Sequence, residues 1–276
     1  MGAAMSTSYS GHYPIERRRG EIERLHIQAA AMAPDTEVML NRIGVGEGWS
    51  CLDIGCGPRG ITDLLSQRVG VSGHVVGLDM DLQFLEAARA SAPTNVEFRQ
   101  GDAYKSDLPA DSFDLVHIRF VASTAGHPEL LLKEAIRLAR PGGIVALQEP
   151  DGSTLHCYPP HSAWERLKTA LLGAFSGVGA DLQLARRLYS IVRQTGLEDV
   201  QYRPFLIGVR SVDPMVDYLP STVESLRSTV IRLGYLTESD FADVLADCRE
   251  HLRQPDTTFT MYTVAQVWAR KPPNPV

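Results

Sequence analysis

The chain has 276 residues, a formal net charge of −6 and 44% hydrophobic residues, which is typical of a globular protein with a full core. The acidic balance argues against a nucleic-acid partner, because binding a phosphate backbone needs a basic face. No apolar run approaches the roughly 20 residues of a membrane span, and residues 1–20 lack a signal-peptide core, so we expect a cytoplasmic protein without membrane insertion.

Residues 1–43 are predicted to form an N-terminal helical arm or cap. Apolar residues at helical spacing run from Tyr13 to Met32 among many charges, and a second short helix is predicted over Thr36–Ile43. The charges fit a solvated helix face. The rest of the chain, residues 44–276, is predicted to be one domain.

Residues 49–60, WSCLDIGCGPRG, combine a short apolar strand with a glycine-rich turn. Cys51, Leu52 and Ile54 predict a buried strand that carries one acid, Asp53, into the turn. Glycine lets the backbone reverse and approach a ligand closely, and the following helix points its N-terminal amide groups at the turn. A unit of this kind is typical of sites for nucleotide-like cofactors.

Strands and helices alternate as far as residue 151. The strands predicted after the turn are His74–Leu78, Asn95–Arg99, Phe113–Phe120 and Ile144–Gln148, and the helices are Leu82–Ala92 and Pro128–Ala139. Alternation of this kind implies a mostly parallel sheet with helices on both faces. Ligands of such sheets bind at the carboxyl ends of the strands.

Beyond residue 151 the predicted order changes. Helices are predicted over Ser162–Leu172 and Leu182–Thr195, and strands over Gln201–Val209 and Thr258–Ala269. The segment Pro214–Leu252 is predicted to be helical, and we expect an insertion at about residues 211–255 to form a lid over the strand ends.

The glycine spacing alone does not select the cofactor. Gly55, Gly57 and Gly60 satisfy the dinucleotide pattern G-x-G-x-x-G, and Asp79 follows Gly57 by 22 residues, which also fits an NAD enzyme. A carboxylate after the second strand suits any ribose, because it accepts hydrogen bonds from both hydroxyls.

Three further features favour another cofactor. Asp53 lies two residues before the first glycine, Gly-Asp-Ala follows the third strand at residues 101–103, and Pro-Gly-Gly precedes the fifth strand at residues 141–143. Together these residues resemble class I S-adenosylmethionine-dependent methyltransferases. The resemblance implies a Rossmann-like, doubly wound α/β fold with a mostly parallel seven-stranded sheet, an antiparallel last strand and helical cap additions. It also implies S-adenosylmethionine as cofactor and S-adenosylhomocysteine as product.

Tyr13 and the pattern E-x-x-R-L-x-x-Q at residues 21–28 are similar to the small-molecule branch of this family, which includes quinone-biosynthesis and natural-product methyltransferases. In that branch this segment closes over the cofactor. One residue departs from the family pattern, since Arg59 stands where a glycine is usual. Arg59 either points to solvent or meets the carboxylate of the cofactor.

The resemblance implies roles for single residues. Asp79 would hold the ribose hydroxyls, Met80 would pack on the adenine, and Asp102 would accept from the adenine amino group while Ala103 donates its amide to the ring. The residues implied to bind the cofactor are Asp53, Gly55, Cys56, Gly57, Asp79, Met80, Asp102, Ala103, Arg119, Tyr13 and Gln28.

Methyl transfer needs an acceptor nucleophile held about 3 Å from the methyl group and, for an acceptor of high pKa, a general base. The candidates are His117, His127, Glu149, Asp151, His156, Tyr158 and His161. His117 fits a core position, and we predict His156 or Tyr158 as the catalytic group. Glu149 and Phe120 are predicted to face the substrate. No metal site is predicted, because the cysteines and histidines lack a metal-ligand spacing.

The sequence therefore predicts methyl transfer from S-adenosylmethionine to a small, apolar acceptor at oxygen, nitrogen or carbon. A protein of this fold that catalyses a cyclisation or rearrangement is the main alternative. A nicotinamide-dependent oxidoreductase is disfavoured by Gly-Asp-Ala at residues 101–103, and a non-catalytic partner subunit by the intact acids Asp53, Asp79 and Asp102. The helical arm permits a homodimer.

Overall fold

The computed structural model describes residues 20–273. The helices are α1 (Glu21–Ile43), α2 (Thr62–Val69), α3 (Leu82–Arg89), α4 (Ala122–Ala125), α5 (Pro128–Leu138), α6 (Ser162–Ser176), α7 (Ala185–Arg193), α8 (Tyr218–Glu224), α9 (Arg227–Arg232) and α10 (Phe241–Leu252). The strands are β1 (Ser50–Ile54), β2 (His74–Asp79), β3 (Val96–Gln100), β4 (Phe113–Arg119), β5 (Ala139–Asp151), β6 (His156–Tyr158), β7 (Glu198–Phe205), β8 (Gly208–Arg210), β9 (Thr258–Thr260) and β10 (Thr263–Arg270).

The main sheet has seven strands in the order β3-β2-β1-β4-β5-β10-β7. Strands β1 to β5 pair in parallel, whereas β10 is antiparallel to both β5 and β7. The apolar residues of the central strands are buried because helices cover both faces. The predicted doubly wound sheet with an antiparallel last strand is confirmed. The strand order reverses between β1 and β4, where ligands of such sheets bind.

Helix α1 runs unbroken from Glu21 to Ile43 through Pro34, so the predicted division into two helices is wrong. Met32, Thr36 and Met39 are fully buried on one face of this helix. Their spacing of three to four residues keeps a continuous packing stripe across the proline, which outweighs the cost of Pro34 inside the helix. The predicted helix start at Tyr13 lies outside the described residues.

A second, three-stranded sheet has the order β6-β9-β8. Two strands that the sequence predicts as single, Gln201–Val209 and Thr258–Ala269, are each divided, and their outer parts pair here as β8 and β9. The Met261 amide donates to the Ile207 carbonyl at 2.9 Å and joins the two crossover points. The sequence does not reveal this division, because the hydropathy pattern continues without a break from β7 into β8 and from β9 into β10.

The second sheet shares a hydrophobic core with α6, α8, α9 and α10, centred on Trp164, Phe175 and Leu219. This cap is distinct from the two clusters that fill the faces of the main sheet. Within residues 20–273, no helix has both the length and the apolar character that crossing a bilayer requires.

Candidate functional site

A cavity of about 960 Å³ lies between the carboxyl ends of the central strands and the cap. One side is formed by the turn after β1 and by the residues that end β2 and β4. The other side comes from α1 and the cap. Its lining includes Arg24, Gln28, Asp53, Gly55, Cys56, Gly57, Arg59, Asp79, Met80, Ala103, Arg119, Phe120, Leu171, Phe175, Leu182, Tyr218 and Tyr262.

The turn after β1 is held by Asp53. The Asp53 carboxylate accepts a hydrogen bond from the Ile61 amide at 3.2 Å. Gly55, Gly57 and Gly60 have φ angles of 70°, 55° and 51°, which a side chain disfavours. A Cβ at Gly60 would lie 2.4 Å from Oδ2 of Asp53, so this glycine is needed for the carboxylate to reach the turn.

His117 is the other partner of Asp53 and has no free nitrogen. Its Nδ1 lies 2.7 Å from Oδ1 of Asp53, and its Nε2 lies 2.9 Å from Nε2 of Gln148. The Gln148 amide is a donor, so His117 accepts at Nε2 and donates from Nδ1 to Asp53. The prediction that His117 is a satisfied core residue is confirmed.

Asp79 lies at the end of β2 with its carboxylate against the turn. Its Oδ2 accepts from the Gly57 amide at 2.7 Å and its Oδ1 from the Asp81 amide at 2.9 Å. Burial raises the pKa of Asp79 above its usual value. The neighbouring Met80 is 53% exposed and lines the cavity. Asp79, Met80 and the backbone of Gly57 thus line the same part of the cavity.

The segment after β3 contributes Ala103 to the cavity lining but not Asp102. The Asp102 carboxylate accepts from the Tyr104 amide at 2.8 Å, which caps the local turn. Tyr104 in turn donates its hydroxyl to the carbonyls of Ala125 and Gly126. The implied contact of Asp102 with an adenine amino group stays a prediction.

Arg119 and Phe120 follow β4 and line the cavity. The Nη1 atom of Arg119 is buried and has no hydrogen-bond partner among the described residues. Burial lowers the pKa of Arg119, while the nearby Asp53 opposes that shift. Phe120 has a φ of 59° and packs edge-on against the Tyr262 ring. A guanidinium with a free N–H group at this position is suited to an anionic ligand group.

Arg59 precedes α2, lines the cavity and is held by Asp63 of that helix. Its Nε lies 3.2 Å from Oδ1 of Asp63, one turn further along the chain, and its Nη1 contacts the hydroxyl of Ser91. Its backbone φ is 139°, a value that residues with a side chain rarely adopt. The guanidinium is therefore engaged by Asp63 and Ser91.

The sequence was compared with models of protein families. A sequence model of the family described as "Methyltransferase domain" matches residues 52–147, which hold β1 to β5 and the glycine turn. This segment is similar to a methyltransferase domain. The chain thereby resembles the class I S-adenosylmethionine-dependent methyltransferases, as the sequence motifs predict.

Among curated relatives of the methyltransferase domain is the demethylmenaquinone methyltransferase of Lactococcus lactis. The two are 38% identical over 123 residues, which is 43% of this chain and 49% of that protein. The chain thus spans about half the length of that relative. The match supports the resemblance to quinone-biosynthesis enzymes.

Two solved structures share the fold. A putative methyltransferase from Bacillus halodurans superposes with a TM-score of 0.57 at 18% identity. The superposition covers 85% of this chain and 98% of the Bacillus chain. The [4+2]-cyclase SpnF superposes with a TM-score of 0.54 at 17% identity and covers 96% of this chain and 89% of its own. The fold therefore extends beyond the methyltransferase domain into the cap.

His156 and Tyr158 are not among the residues that line the cavity, so their prediction as substrate-facing catalytic groups is wrong. Both lie on β6, where alternate side chains point to opposite faces. Cys157 points into the cap core and is 2% exposed, which turns His156 and Tyr158 outward, and Tyr158 is 64% exposed.

Glu149 was a further sequence prediction, as a substrate-binding acid, and the structure contradicts it. It is fully buried, and its two carboxylate oxygens accept from the amides of Ala122 and Ser123, both at 3.0 Å. Glu149 therefore positions the start of α4, which follows the Phe120 corner. Tyr13, an implied cofactor residue, lies outside the described residues.

Sequence reasoning gave no role to Tyr262 and placed Gln28 only by resemblance. In the structure, Gln28 Nε2 donates to the hydroxyls of Tyr218 and Tyr262 in the cavity wall. Tyr262 lies at the point where a predicted single strand divides into β9 and β10. The sequence pattern does not show this division of the strand, so it does not place Tyr262 in the cavity wall.

Glu149 is expected to make stability depend on pH. Burial raises its pKa from 4.5 to about 7 in the folded protein. Between those values the folded chain keeps a proton that the unfolded chain has released, so the free energy of unfolding falls as pH rises through this window and levels off above it. In urea unfolding between pH 5 and 8, Glu149→Gln should flatten this slope. Glu198→Gln, which changes an exposed carboxylate, is the control. Equal slopes in the wild type and both variants would contradict a raised pKa of Glu149.

Proposed function

We propose that this protein transfers the methyl group of S-adenosylmethionine to a small, apolar organic molecule. The observation that carries the proposal is the division of one cavity into two chemically different sides. Asp79, Arg119 and the glycine turn form a polar side, whereas Leu171, Phe175 and Leu182 of the cap region line an apolar side. A charged cofactor and an apolar acceptor would thus meet inside one enclosed space.

The polar side fits S-adenosylmethionine. Asp79 offers a carboxylate for ribose hydroxyls, and Nη1 of Arg119 offers an unused donor for a carboxylate. At Gly57 an added Cβ would meet nothing within 4 Å, so the backbone borders open space there. When bound, the cofactor supplies an electrophilic methyl group on a sulfonium sulfur. The chain's own contribution is to bind, orient and exclude water.

The apolar side constrains the acceptor. Its described lining from the cap region and β10 side is apolar or hydroxyl-bearing, with Thr222, Ser228, Tyr218 and Tyr262 but no histidine or carboxylate. The α1 side of the same cavity contributes His26, whose Nε2 lies 3.1 Å from the Pro58 carbonyl oxygen. A strong general base is therefore absent from the described wall on the cap and β10 side. This favours an acceptor that is already nucleophilic when it enters, over one that must lose a tightly held proton.

Transfer of isotope from [methyl-¹⁴C]S-adenosylmethionine to organic-extractable products tests the proposal. The Lactococcus lactis relative is named a demethylmenaquinone methyltransferase, so quinols head the acceptor panel, followed by phenols, aromatic amines and isoprenoid alcohols. Label in a product that Asp79→Ala fails to form would support methyl transfer. Cofactor binding without labelled product from any acceptor would contradict it.

A cyclisation or rearrangement without methyl transfer is the second candidate. The lack of a base in the apolar wall supports this candidate, and the likeness of the fold to SpnF supports it at the level of the fold alone. The two candidates separate in a single assay: a rearrangement converts an acceptor without consuming S-adenosylmethionine, whereas methyl transfer yields one S-adenosylhomocysteine for each product molecule.

Arg119→Met is expected to weaken S-adenosylhomocysteine binding about tenfold or more, because a charge-assisted hydrogen bond to the cofactor carboxylate is lost. Binding of 5′-methylthioadenosine, which lacks the amino-acid part, should not change. Calorimetric titration of both nucleotides into each protein makes this comparison. Equal losses for the two nucleotides would show that Arg119 acts only by supporting the fold of the cavity.

A further inference from the structure

Three buried polar side chains form a cluster in the cavity wall. Gln28 Nε2 lies 3.0 Å from the Tyr218 hydroxyl and 2.9 Å from the Tyr262 hydroxyl, and the two hydroxyl oxygens are 2.8 Å apart. None of the three residues is more than 8% exposed, and all line the cavity. They come from α1, the start of α8 and the link between β9 and β10, so only the complete fold assembles the cluster.

The protons of this cluster do not balance within the protein. The two phenols carry two O–H protons, of which only one lies between the two oxygens. With its nitrogen assigned to the side that faces the two hydroxyls, the Gln28 amide is a donor there and takes neither proton. Within residues 20–273, neither hydroxyl makes a hydrogen bond to any other acceptor. One phenol O–H is therefore left over, and a buried donor without an acceptor is costly.

The surroundings identify the leftover group as a donor and not a base. Burial and the adjacent Tyr218 raise the pKa of Tyr262 well above its usual value, so the phenol keeps its proton at neutral pH. The Phe120 ring packs on Tyr262 with ring centres 5.6 Å apart, and the Arg24 guanidinium lies 5.7 Å from the centre of the Tyr218 ring. Arg24 is itself ion-paired with Glu21, Nη2 to Oε1 at 2.7 Å, so this part of the wall offers a bound oxygen the phenol O–H rather than a net positive charge.

We propose that the Tyr218–Tyr262 pair donates a hydrogen bond to an oxygen of the acceptor molecule and orients that molecule for reaction. The acceptor class is an apolar phenol or enol that binds as its oxyanion. This class needs no strong base in the apolar wall, in keeping with the residues found there. The inference rests on the proposed function, because it assigns the apolar side of the cavity to the acceptor.

The probe for this test is 4-nitrophenol, whose ionised form absorbs visible light, added to protein saturated with S-adenosylhomocysteine. The double variant Tyr218→Phe/Tyr262→Phe should bind the 4-nitrophenolate form about tenfold more weakly and raise the pKa of bound 4-nitrophenol by about one. Each single variant should show a smaller change, because the remaining phenol still carries an O–H. Nitrobenzene, which lacks the hydroxyl oxygen, should bind all variants equally.

Tyr202→Phe is the matched control, since it removes an exposed phenol hydroxyl from β7, outside the cavity lining. A wild-type protein that does not bind S-adenosylhomocysteine would count against the proposed function itself. With that binding intact, the hydroxyl-donor proposal is overturned by any of three results. These are no binding of 4-nitrophenol to the wild type, an unchanged pKa of the bound probe in the double variant, and equal losses of 4-nitrophenol and nitrobenzene.

Discussion

Replacing Asp79 with alanine is expected to lower the affinity for S-adenosylhomocysteine by roughly 100-fold. A carboxylate that accepts from two ribose hydroxyls makes two hydrogen bonds to a charged group, each worth about 1.5–3 kcal/mol. The change also removes the partner of the Gly57 amide, which lies 2.7 Å from Oδ2 of Asp79. Calorimetric titration measures the loss directly.

The control for this experiment is Asp256→Ala, which removes an exposed carboxylate from the segment before β9. It should bind S-adenosylhomocysteine as the wild type does. Asp79→Asn should recover part of the affinity, because its amide oxygen still accepts one hydrogen bond. If Asp79→Ala bound S-adenosylhomocysteine as tightly as the wild type does, Asp79 would not bind the ribose, and the cofactor would not bind on this side of the cavity.

Replacing Gly57 with alanine is expected to separate binding from stability. The residue has a φ of 55°, so a side chain costs about 1 kcal/mol of backbone strain. The added Cβ would meet no protein atom within 4 Å and would stand in space that the cofactor needs. We therefore expect more than tenfold weaker binding of S-adenosylhomocysteine with only a small fall in the urea midpoint.

Gly196→Ala supplies the matched control for Gly57→Ala. Gly196 has a φ of 80°, an added Cβ there also meets nothing within 4 Å, and the residue lies outside the cavity lining. It should show a similar loss of stability and unchanged binding. If the Gly57 and Gly196 variants bound the cofactor equally well, the turn would not be a cofactor cradle.

The first half of the fold is predictable from the sequence because its signals are local. The apolar run at residues 50–54 continues directly into glycines, and strands alternate with helices up to β5 except between β3 and β4, which follow each other without a helix. Asp53 and Asp79 are prominent because they are acids at the ends of buried strands. Their hydrogen bonds to the Ile61 and Gly57 amides follow from that placement.

The acceptor side is not predictable in the same way, because it depends on contacts between distant segments. The short strand that carries His156 and Tyr158 pairs with β9, about 100 residues later, and this pairing turns both side chains outward. Glu149 has the sequence position of a pocket acid, but α4 begins beside it and its amides take the carboxylate. The Gln28–Tyr218–Tyr262 cluster likewise joins residues up to 234 positions apart.

Parallel calorimetric titration of the wild-type protein with S-adenosylmethionine, S-adenosylhomocysteine and NADH tests the central claim most directly. The cavity described here predicts micromolar binding of the two sulfur nucleotides and no binding of NADH. Binding of NADH alone would assign the glycine turn and Asp79 to a dinucleotide. Binding of none of the three by the folded protein would contradict a cofactor site in this cavity.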